Sequence, residues 1–208
     1  MQTLNQHIKE HTFKRVYLLY GEEQFLVNNY KKRLREAIAG DDTMNFNSFQ
    51  GKNPDVKEII SLADTMPFFA ERRLIVFENT GFFKSAAGAD LAEYLKELPE
   101  TTYFLFVEDE VDKRSKMYKA VKAKGRAVEL PFQDENTLKR WVAGQVGKES
   151  KKITESDVMY FLNKVGTDME NITKELEKVF CYALERDVVT KEDIDAVCVT
   201  QITSHIFD

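Results

Sequence analysis

The sequence predicts an α/β domain with a mainly parallel sheet, followed by a small helical domain. Five short apolar runs alternate with helix-like segments over residues 1–133. Three of these runs are apolar at every position, which is typical of strands buried on both faces of a parallel sheet. No strand candidate of comparable strength follows Pro131. The predicted boundary therefore lies near residues 131–135, between an α/β domain at 1–133 and a helical domain at 134–208.

The apolar runs are the strand candidates, and helices with recognisable ends lie between them. The predicted strands are 16–20, 46–49, 74–77, 103–107 and 127–130. A helix over about 23–39 should stop at Gly40, because glycine is favoured just past a helix end. Asn53 is the expected cap of the next helix, with Pro54 at its first position, where a missing N–H costs nothing. A further helix is predicted around 115–124.

The last third of the sequence contains helical patterns. The predicted helices are about 134–146, 154–165, 168–184 and 191–197. Thr167 with Glu170 three residues later is the pattern of a capping box, and Thr190 is the expected cap of the last helix. The end of the chain, 202–208, is apolar with nothing after it to pack against. We expect a further element to begin there, so that the chain is cut before it.

Composition excludes several classes of protein. The 208 residues are 43% hydrophobic, which is enough for a core and too much for a disordered chain. Two cysteines cannot form a disulfide framework or a four-cysteine zinc site. No apolar run reaches the roughly 18 residues of a membrane span, and the polar N-terminus lacks a signal peptide. We therefore expect a cytoplasmic protein.

The excess of acid lies at one end of the chain. The net charge is −5, and residues 134–208 carry 10 basic and 15 acidic residues, whereas 1–133 are balanced at 20 and 20. A protein that binds nucleic acid tightly by itself is usually basic. Any contact with nucleic acid should therefore be local or shared with partners.

The turn after the first predicted strand has the position of a phosphate loop but not its residues. Such a loop reads G-x-x-x-x-G-K-[ST]. Gly21 matches the first glycine, but Leu26 stands at the second glycine, Val27 at the lysine and Asn28 at the magnesium-binding hydroxyl residue. Two carboxylates follow Gly21 and add negative charge where phosphates would lie. We interpret the segment as an ordinary strand–helix turn that binds no nucleotide and needs no cofactor.

An acidic triplet, 108–110, follows the fourth predicted strand. Ligands of α/β proteins often lie at the carboxyl ends of strands. One interpretation is a magnesium site for phosphoryl transfer that uses acids at neighbouring strand ends. Its other members would be Glu22, Glu23 and Glu78. The simpler interpretation is a solvated loop at a helix start, with no metal.

A basic segment covers residues 113–126. It contains seven cations and no carboxylate: Lys113, Arg114, Lys116, Lys119, Lys122, Lys124 and Arg126. Met117, Ala120 and Val121 fall on one helical face, so the segment predicts an amphipathic surface helix with a basic outer side. That side is either simply solvated or a contact for DNA phosphate or an acidic partner.

The connection before the third predicted strand is the most unusual segment. It reads Met66, Pro67, Phe68 and Phe69. Pro67 disfavours helical geometry at Met66, so the preceding helix should end there. Adjacent residues of an extended chain point in opposite directions, so both phenylalanines cannot face one core. Composition alone slightly favours core packing, and the alternative is an exposed aromatic pair that anchors a protein partner.

Taken together, these features resemble the delta subunit of the bacterial DNA polymerase III clamp loader. The pieces that match are 17–27 (YLLYGEEQFLV), 61–74 (SLADTMPFFAERRL), 165–178 (VGTDMENITKELEK) and 202–208 (ITSHIFD). The resemblance spans the whole chain and implies an AAA+/P-loop-NTPase-like sheet domain with a helical lid and no nucleotide binding. It also implies a third, collar domain, which is absent from this chain.

The resemblance further implies a function and a site. Members of the family bind the ring-shaped sliding clamp (beta) and open it for loading onto primed DNA. They do so as a non-catalytic subunit of the polymerase holoenzyme. Their clamp-binding element is a hydrophobic pair that maps by position onto Phe68 and Phe69, with Met66 and Pro67 beside it. Many relatives have an aliphatic residue where Phe68 stands. The implied partners are the gamma/tau and delta prime subunits, reached through the collar, with primed DNA met only within the complex.

Two interpretations from other classes remain open at this stage. One is an AAA+ ATPase with an atypical nucleotide site. The other is a metal-dependent phosphotransfer enzyme that uses Glu108 and Asp109. Nucleotide binding would distinguish the first, and a magnesium site that disappears on substitution of these acids would distinguish the second.

Overall fold

The structure is a computed structural model that describes residues 2–84 and 88–200. It divides into two compact units, Met1–Phe132 and Gln133–Asp208. The expected start of a further element at 202–208 lies outside the described residues, as does the last of the four matching pieces. Within the described ranges, no helix is long and apolar enough to cross a membrane.

The first unit is a parallel sheet with intervening helices. Its elements are α1 (Gln2–Glu10), β1 (Val16–Tyr20), α2 (Gln24–Ala39), β2 (Phe46–Gln50), α3 (Val56–Ala63), β3 (Arg73–Glu78), α4 (Gly88–Tyr94), β4 (Thr102–Glu108), α5 (Lys116–Lys124) and β5 (Arg126–Glu129). All pairings are parallel, and the strand order is β2-β3-β4-β1-β5. The five predicted strands and the parallel sheet are confirmed.

The centre of this sheet is buried on both faces, as the uninterrupted apolar runs predict. Every residue of β1 is buried, and so are the apolar residues of β3. On one face an aromatic cluster forms, in which Phe77 stacks on Phe106 with ring centroids 4.5 Å apart and meets Phe104 edge to face at 5.0 Å. Such aromatic pairs add to the free energy of simple burial.

Two helix boundaries in the first unit differ from the prediction. The cap of α3 is Asp55, whose carboxylate accepts a hydrogen bond from the Lys57 N–H at 2.8 Å. Asn53 instead takes a positive φ of 59° outside the helix, so its predicted capping role is wrong. The helix also ends at Ala63, three residues before Met66. Helix α1 was not predicted, because it is mostly polar and buries only Leu4.

The second unit is mainly helical. It contains α6 (Glu135–Lys148), β6 (Lys152–Ile153), α7 (Glu155–Val165), α8 (Met169–Tyr182), β7 (Val188–Val189) and α9 (Lys191–Val197). The two short strands pair in parallel. The four predicted helices are present. The predicted cap of α8 is wrong by one residue, because the Asp168 carboxylate accepts from the Asn171 N–H at 2.7 Å.

Candidate functional site

The first strand–helix turn is closed by the backbone of Leu130. The Glu23 N–H at the start of α2 donates to the Leu130 carbonyl at 3.0 Å, and the Leu130 N–H donates to the Tyr20 carbonyl at 2.7 Å. Gly21 has φ +134°, and a Cβ placed there would clash with the Leu130 backbone. A phosphate group needs bare N–H groups and open space at such a turn. Here the Leu130 backbone takes both the space and the Glu23 N–H.

The residues after this turn cannot replace a phosphate loop. Leu26 and Val27, at the positions of the second glycine and the lysine, are buried core residues of α2. Asn28 is exposed and lacks the hydroxyl group that would hold magnesium. These three residues therefore offer neither the glycine, the lysine nor the hydroxyl group of a phosphate loop.

The carboxylates at the strand ends have separate partners. Glu108 is buried and accepts hydrogen bonds from the Thr80 N–H at 2.9 Å, from the Thr80 hydroxyl at 2.6 Å and from the Gly81 N–H at 3.3 Å. Burial raises the pKa of the Glu108 carboxyl, and these hydrogen bonds oppose the rise. Glu78 pairs with Lys31 at 2.8 Å, and Glu110 pairs with Lys84.

The magnesium interpretation is therefore not supported by the geometry. Among the described residues, no group of three or more His, Cys, Asp and Glu side chains could hold a metal ion. Glu108 ties the connection after β3 to the end of β4, which is a structural role. Asp109 lies beside it, and its backbone N–H donates to the Asn79 side chain at 3.0 Å.

The basic segment comprises α5 and the residues just before and after that helix. Lys113 is paired with Glu129 at 2.7 Å, and Arg114 with Asp112 at 3.1 Å. Carboxylates outside the run thus neutralise two of its cations. The other four cations of the predicted contact are exposed: Lys116, Lys119, Lys122 and Lys124. Among the residues that the structure describes, no carboxylate forms an ion pair with them within 4 Å. Met117 and Val121 are buried on the opposite side, as predicted.

Residues 66–69, here called the apolar loop, lie at the surface. Met66 is 80% exposed, Phe68 54% and Phe69 94%. The two phenylalanine rings pack edge to face with centroids 4.5 Å apart. The prediction that this pair packs in the core is therefore wrong. The loop joins α3 to β3 at the surface, where neither ring is buried by the rest of the unit. Exposed aromatic side chains of this kind are typical anchors of protein interfaces.

A buried asparagine holds the backbone of the apolar loop. Asn45 is 1% exposed and lies just before β2. Its side-chain oxygen accepts from the Phe68 N–H at 2.6 Å, and its amide nitrogen donates to the Phe68 carbonyl at 2.9 Å. The amide nitrogen also donates to the Asp42 carboxylate at 2.7 Å, which lowers the pKa of Asp42. Two parts of the chain 23 residues apart are thus joined at one point.

Other contacts fix the base of the loop. The Arg73 guanidinium is buried and donates to the Met66 carbonyl at 3.3 Å and to the Asn47 side chain at 3.1 Å. At the end of α3, the Thr102 hydroxyl donates to the Ala63 carbonyl at 2.9 Å. The apolar side chains are therefore presented on a backbone that is held from two sides.

The sequence located the apolar loop but not its supports. Asn45 lies in none of the matching pieces, and Arg73 lies in the piece 61–74 without any sign of its partners. The contacts of both residues depend on the pairing of β2 with β3, which no local pattern reveals. The closure of the first turn by Leu130 was likewise missed. The sequence gives one hint of this closure, namely that the predicted strand 127–130 ends at Leu130.

The fold and these sites define a class of protein. The class has an α/β unit with a parallel sheet, a helical unit after it in the sequence, a closed first turn and an exposed aromatic loop. The fold is similar to that of a solved structure, described as the Bacillus subtilis DNA clamp loader delta protein (YqeN), and the predicted α/β class is confirmed. It matches with a TM-score of 0.78 and 22% identity over 96% of this chain and 62% of that chain.

Sequence comparisons give the family. The family model for the DNA polymerase III delta subunit matches residues 17–131. DNA polymerase III subunit delta of Bacillus subtilis is 23% identical over 93% of this chain and 59% of its own length. A probable delta subunit of Aquifex aeolicus is 21% identical over 88% of this chain and 55% of its own length. The chain belongs to the DNA polymerase III delta-subunit family and spans less than two thirds of the length of these relatives.

Proposed function

We propose that this chain binds the sliding clamp of the replication machinery through residues 66–69 and opens one interface of its ring. The observation that carries the proposal is the exposed Phe68–Phe69 pair on a backbone that Asn45 holds in place. An apolar side chain that enters a preformed pocket gains free energy by leaving water. The family resemblance and the name of the structurally similar clamp loader protein support the identity of the partner.

The chain acts without hydrolysing ATP. The closed turn at Gly21 leaves no space for phosphate, and the two carboxylates beside it would repel one. We therefore propose that the chain is a non-catalytic subunit of the holoenzyme. Equilibrium titration with a fluorescent ATP analogue tests this point. A magnesium-dependent ATPase rate abolished by substitutions around Gly21 would contradict it.

We place the chain in the clamp-loading part of the DNA polymerase III holoenzyme. Its further partners are the gamma/tau and delta prime subunits, and it meets primed DNA only within that complex. The exposed lysines of α5 are the candidate contact for DNA phosphate or an acidic partner. If they serve DNA, charge reversal at Lys122 and Lys124 should weaken DNA binding by the assembled loader and reduce its salt dependence.

The direct test is binding of the purified chain to the cognate clamp. Surface plasmon resonance with immobilised clamp should show saturable binding. A pair of fluorophores across one clamp interface should then report separation of the ring when this chain is added without nucleotide. Absence of binding at micromolar concentrations would refute the proposal. Binding without separation would restrict it to clamp recognition.

A further inference from the structure

We propose that Asn45 is a positioning residue for clamp binding, because its side chain holds the apolar loop in the conformation that binds. This inference rests on the proposed function of residues 66–69 and adds a residue to it. Asn45 contributes no exposed surface and so cannot itself be a contact. Any influence of Asn45 on clamp binding must therefore act through its hydrogen bonds to the backbone of Phe68.

The hydrogen bonds of Asn45 are fully committed. A buried side-chain amide is costly unless its polar atoms are paired. Here the oxygen accepts from the Phe68 N–H, and the nitrogen donates once to the Phe68 carbonyl and once to Asp42. One side chain thus pairs both backbone groups of a single residue, as a neighbouring strand would. Phe68 is therefore held at both its donor and its acceptor.

Asp42 fixes the orientation of that amide. Its Oδ2 accepts from the Asn45 side chain, while its Oδ1 accepts from the backbone N–H groups of Met44 at 2.8 Å and Asn45 at 3.0 Å. If the Asn45 amide were flipped, its oxygen would face a carboxylate and its nitrogen would face the Phe68 N–H. Asp42 therefore selects the one orientation that suits the Phe68 backbone.

The next residue shows why the loop needs a support. Phe69 has φ +49°, a left-handed conformation that is unfavourable for a bulky side chain. Such a conformation persists where surrounding contacts hold it. With Phe68 released, Phe69 can return to a negative φ, and its ring then points elsewhere. The Arg73 guanidinium also holds the loop, but its hydrogen bond to the Met66 carbonyl is longer at 3.3 Å and lies two residues before Phe68.

The expected cost of losing this support is a loss of clamp affinity. A loop that is already ordered does not lose conformational freedom on binding. Restricting one residue's backbone changes an equilibrium constant by roughly 5- to 30-fold. Asn45→Ala should therefore weaken clamp binding about tenfold, with a faster dissociation rate and a less favourable binding entropy. The exposed area of the anchors remains available, so the loss should be smaller than that from truncating both rings.

The first experiment compares wild type, Asn45→Ala and Asn171→Ala in clamp binding by surface plasmon resonance and calorimetry. Asn171 is the matched control, because its amide also donates to a backbone carbonyl, that of Val165 at 2.8 Å, but far along the chain in the second unit. We expect Asn171→Ala to bind like wild type at a temperature where all three are folded. Equal affinity of Asn45→Ala and wild type would overturn the inference and leave the proposed function intact.

A second measurement needs no clamp. Fluorine NMR of the chain labelled with fluorophenylalanine reports the two rings, which can be assigned with Phe68→Leu and Phe69→Leu. The edge-to-face pair should give shifts displaced by ring currents in wild type and averaged shifts in Asn45→Ala. Unchanged shifts would overturn the positioning role even if wild type proved not to bind the clamp, an outcome that would separately refute the proposed function.

A third comparison tests Asp42 and provides a variant if the alanine substitution fails to fold. Asn45→Asp keeps the acceptor for the Phe68 N–H but sets a carboxylate against that of Asp42, so we expect it to bind as weakly as Asn45→Ala. Adding Asp42→Asn restores a donor between the two positions and should recover part of the affinity. A double variant no better than Asn45→Asp alone would overturn the role given to Asp42.

Discussion

Removing both aromatic rings of the apolar loop should abolish most of the clamp affinity and leave the fold unchanged. The perturbation is the double substitution Phe68→Ala/Phe69→Ala. Phe69 is almost fully exposed and Phe68 about half exposed, so neither ring supports the core of the first unit. The edge-to-face contact between the two rings disappears with them, and no buried cavity is created.

The magnitude follows from the exposed surface that binding would bury. The two residues expose about one and a half phenylalanines between them. Full burial of one phenylalanine contributes about 1.5–3 kcal/mol, so the pair should contribute about 2–4.5 kcal/mol. That is a factor of about 30 to 2,000 in the dissociation constant. We therefore expect the affinity to fall within that range, by on the order of a hundredfold.

The assay pairs surface plasmon resonance against the clamp with thermal melting of the free chain. Phe132→Ala is the matched control, because Phe132 is also exposed but lies outside the apolar loop. It should leave affinity unchanged. Charge reversal at Lys116 and Lys119 is a second control and should change affinity by only a few fold, as expected of charges at the rim of an interface.

Two results would refute the reasoning. A double variant that binds like wild type would show that the loop is not the anchor. A variant that melts much earlier would show that the rings pack in the folded chain, since truncating a core phenylalanine costs about 3–5 kcal/mol.

Three further outcomes follow from the fold. Gly21→Ala should lower the free energy of unfolding by about 2 kcal/mol or more, because the new Cβ would meet the Leu130 carbonyl. Gly144→Ala should raise the free energy of unfolding by about 0.5–1 kcal/mol, because Gly144 lies in α6 with open space around it. Urea titration measures both changes. ATP with magnesium should not shift the melting temperature. Burial raises the pKa of Glu108 above 4.5 in the folded chain, so its contribution to stability is present at acid pH and lost as pH rises through the raised value. Wild type should gain stability relative to Glu108→Gln as pH falls from 7 towards 4.5, and a pH-independent difference would contradict this.

The three central strands could be predicted because each one is decided by its own residues. β1, β3 and β4 are apolar at nearly every position, and only a strand covered on both faces uses such a run. Helix caps were harder to place. Asn53 and Asp55, or Thr167 and Asp168, are all residues that cap helices, and the choice depends on which side chain reaches a free N–H.

The candidate site was predictable in part for a related reason. Pro67 and two adjacent aromatic residues mark the apolar loop locally, so its position follows from the sequence. The exposure of the loop does not follow from the sequence, because it depends on how α3 and β3 pack in the folded unit. Asn45 could not be found, since an asparagine between a helix and a strand usually indicates a turn. Its partner becomes known only when β2 is aligned with β3.

The backbone closure at Leu130 implies that nucleotide binding could not be regained by restoring side chains alone. Leu26→Gly, Val27→Lys and Asn28→Thr would rebuild the letters of a phosphate loop. The new lysine would replace a buried residue of α2, and the Leu130 carbonyl would still accept the Glu23 N–H. The chain after β5 would have to be rerouted before a triphosphate could enter. On the proposed function, the loss of nucleotide binding therefore lies in the path of the main chain and not only in a few side chains.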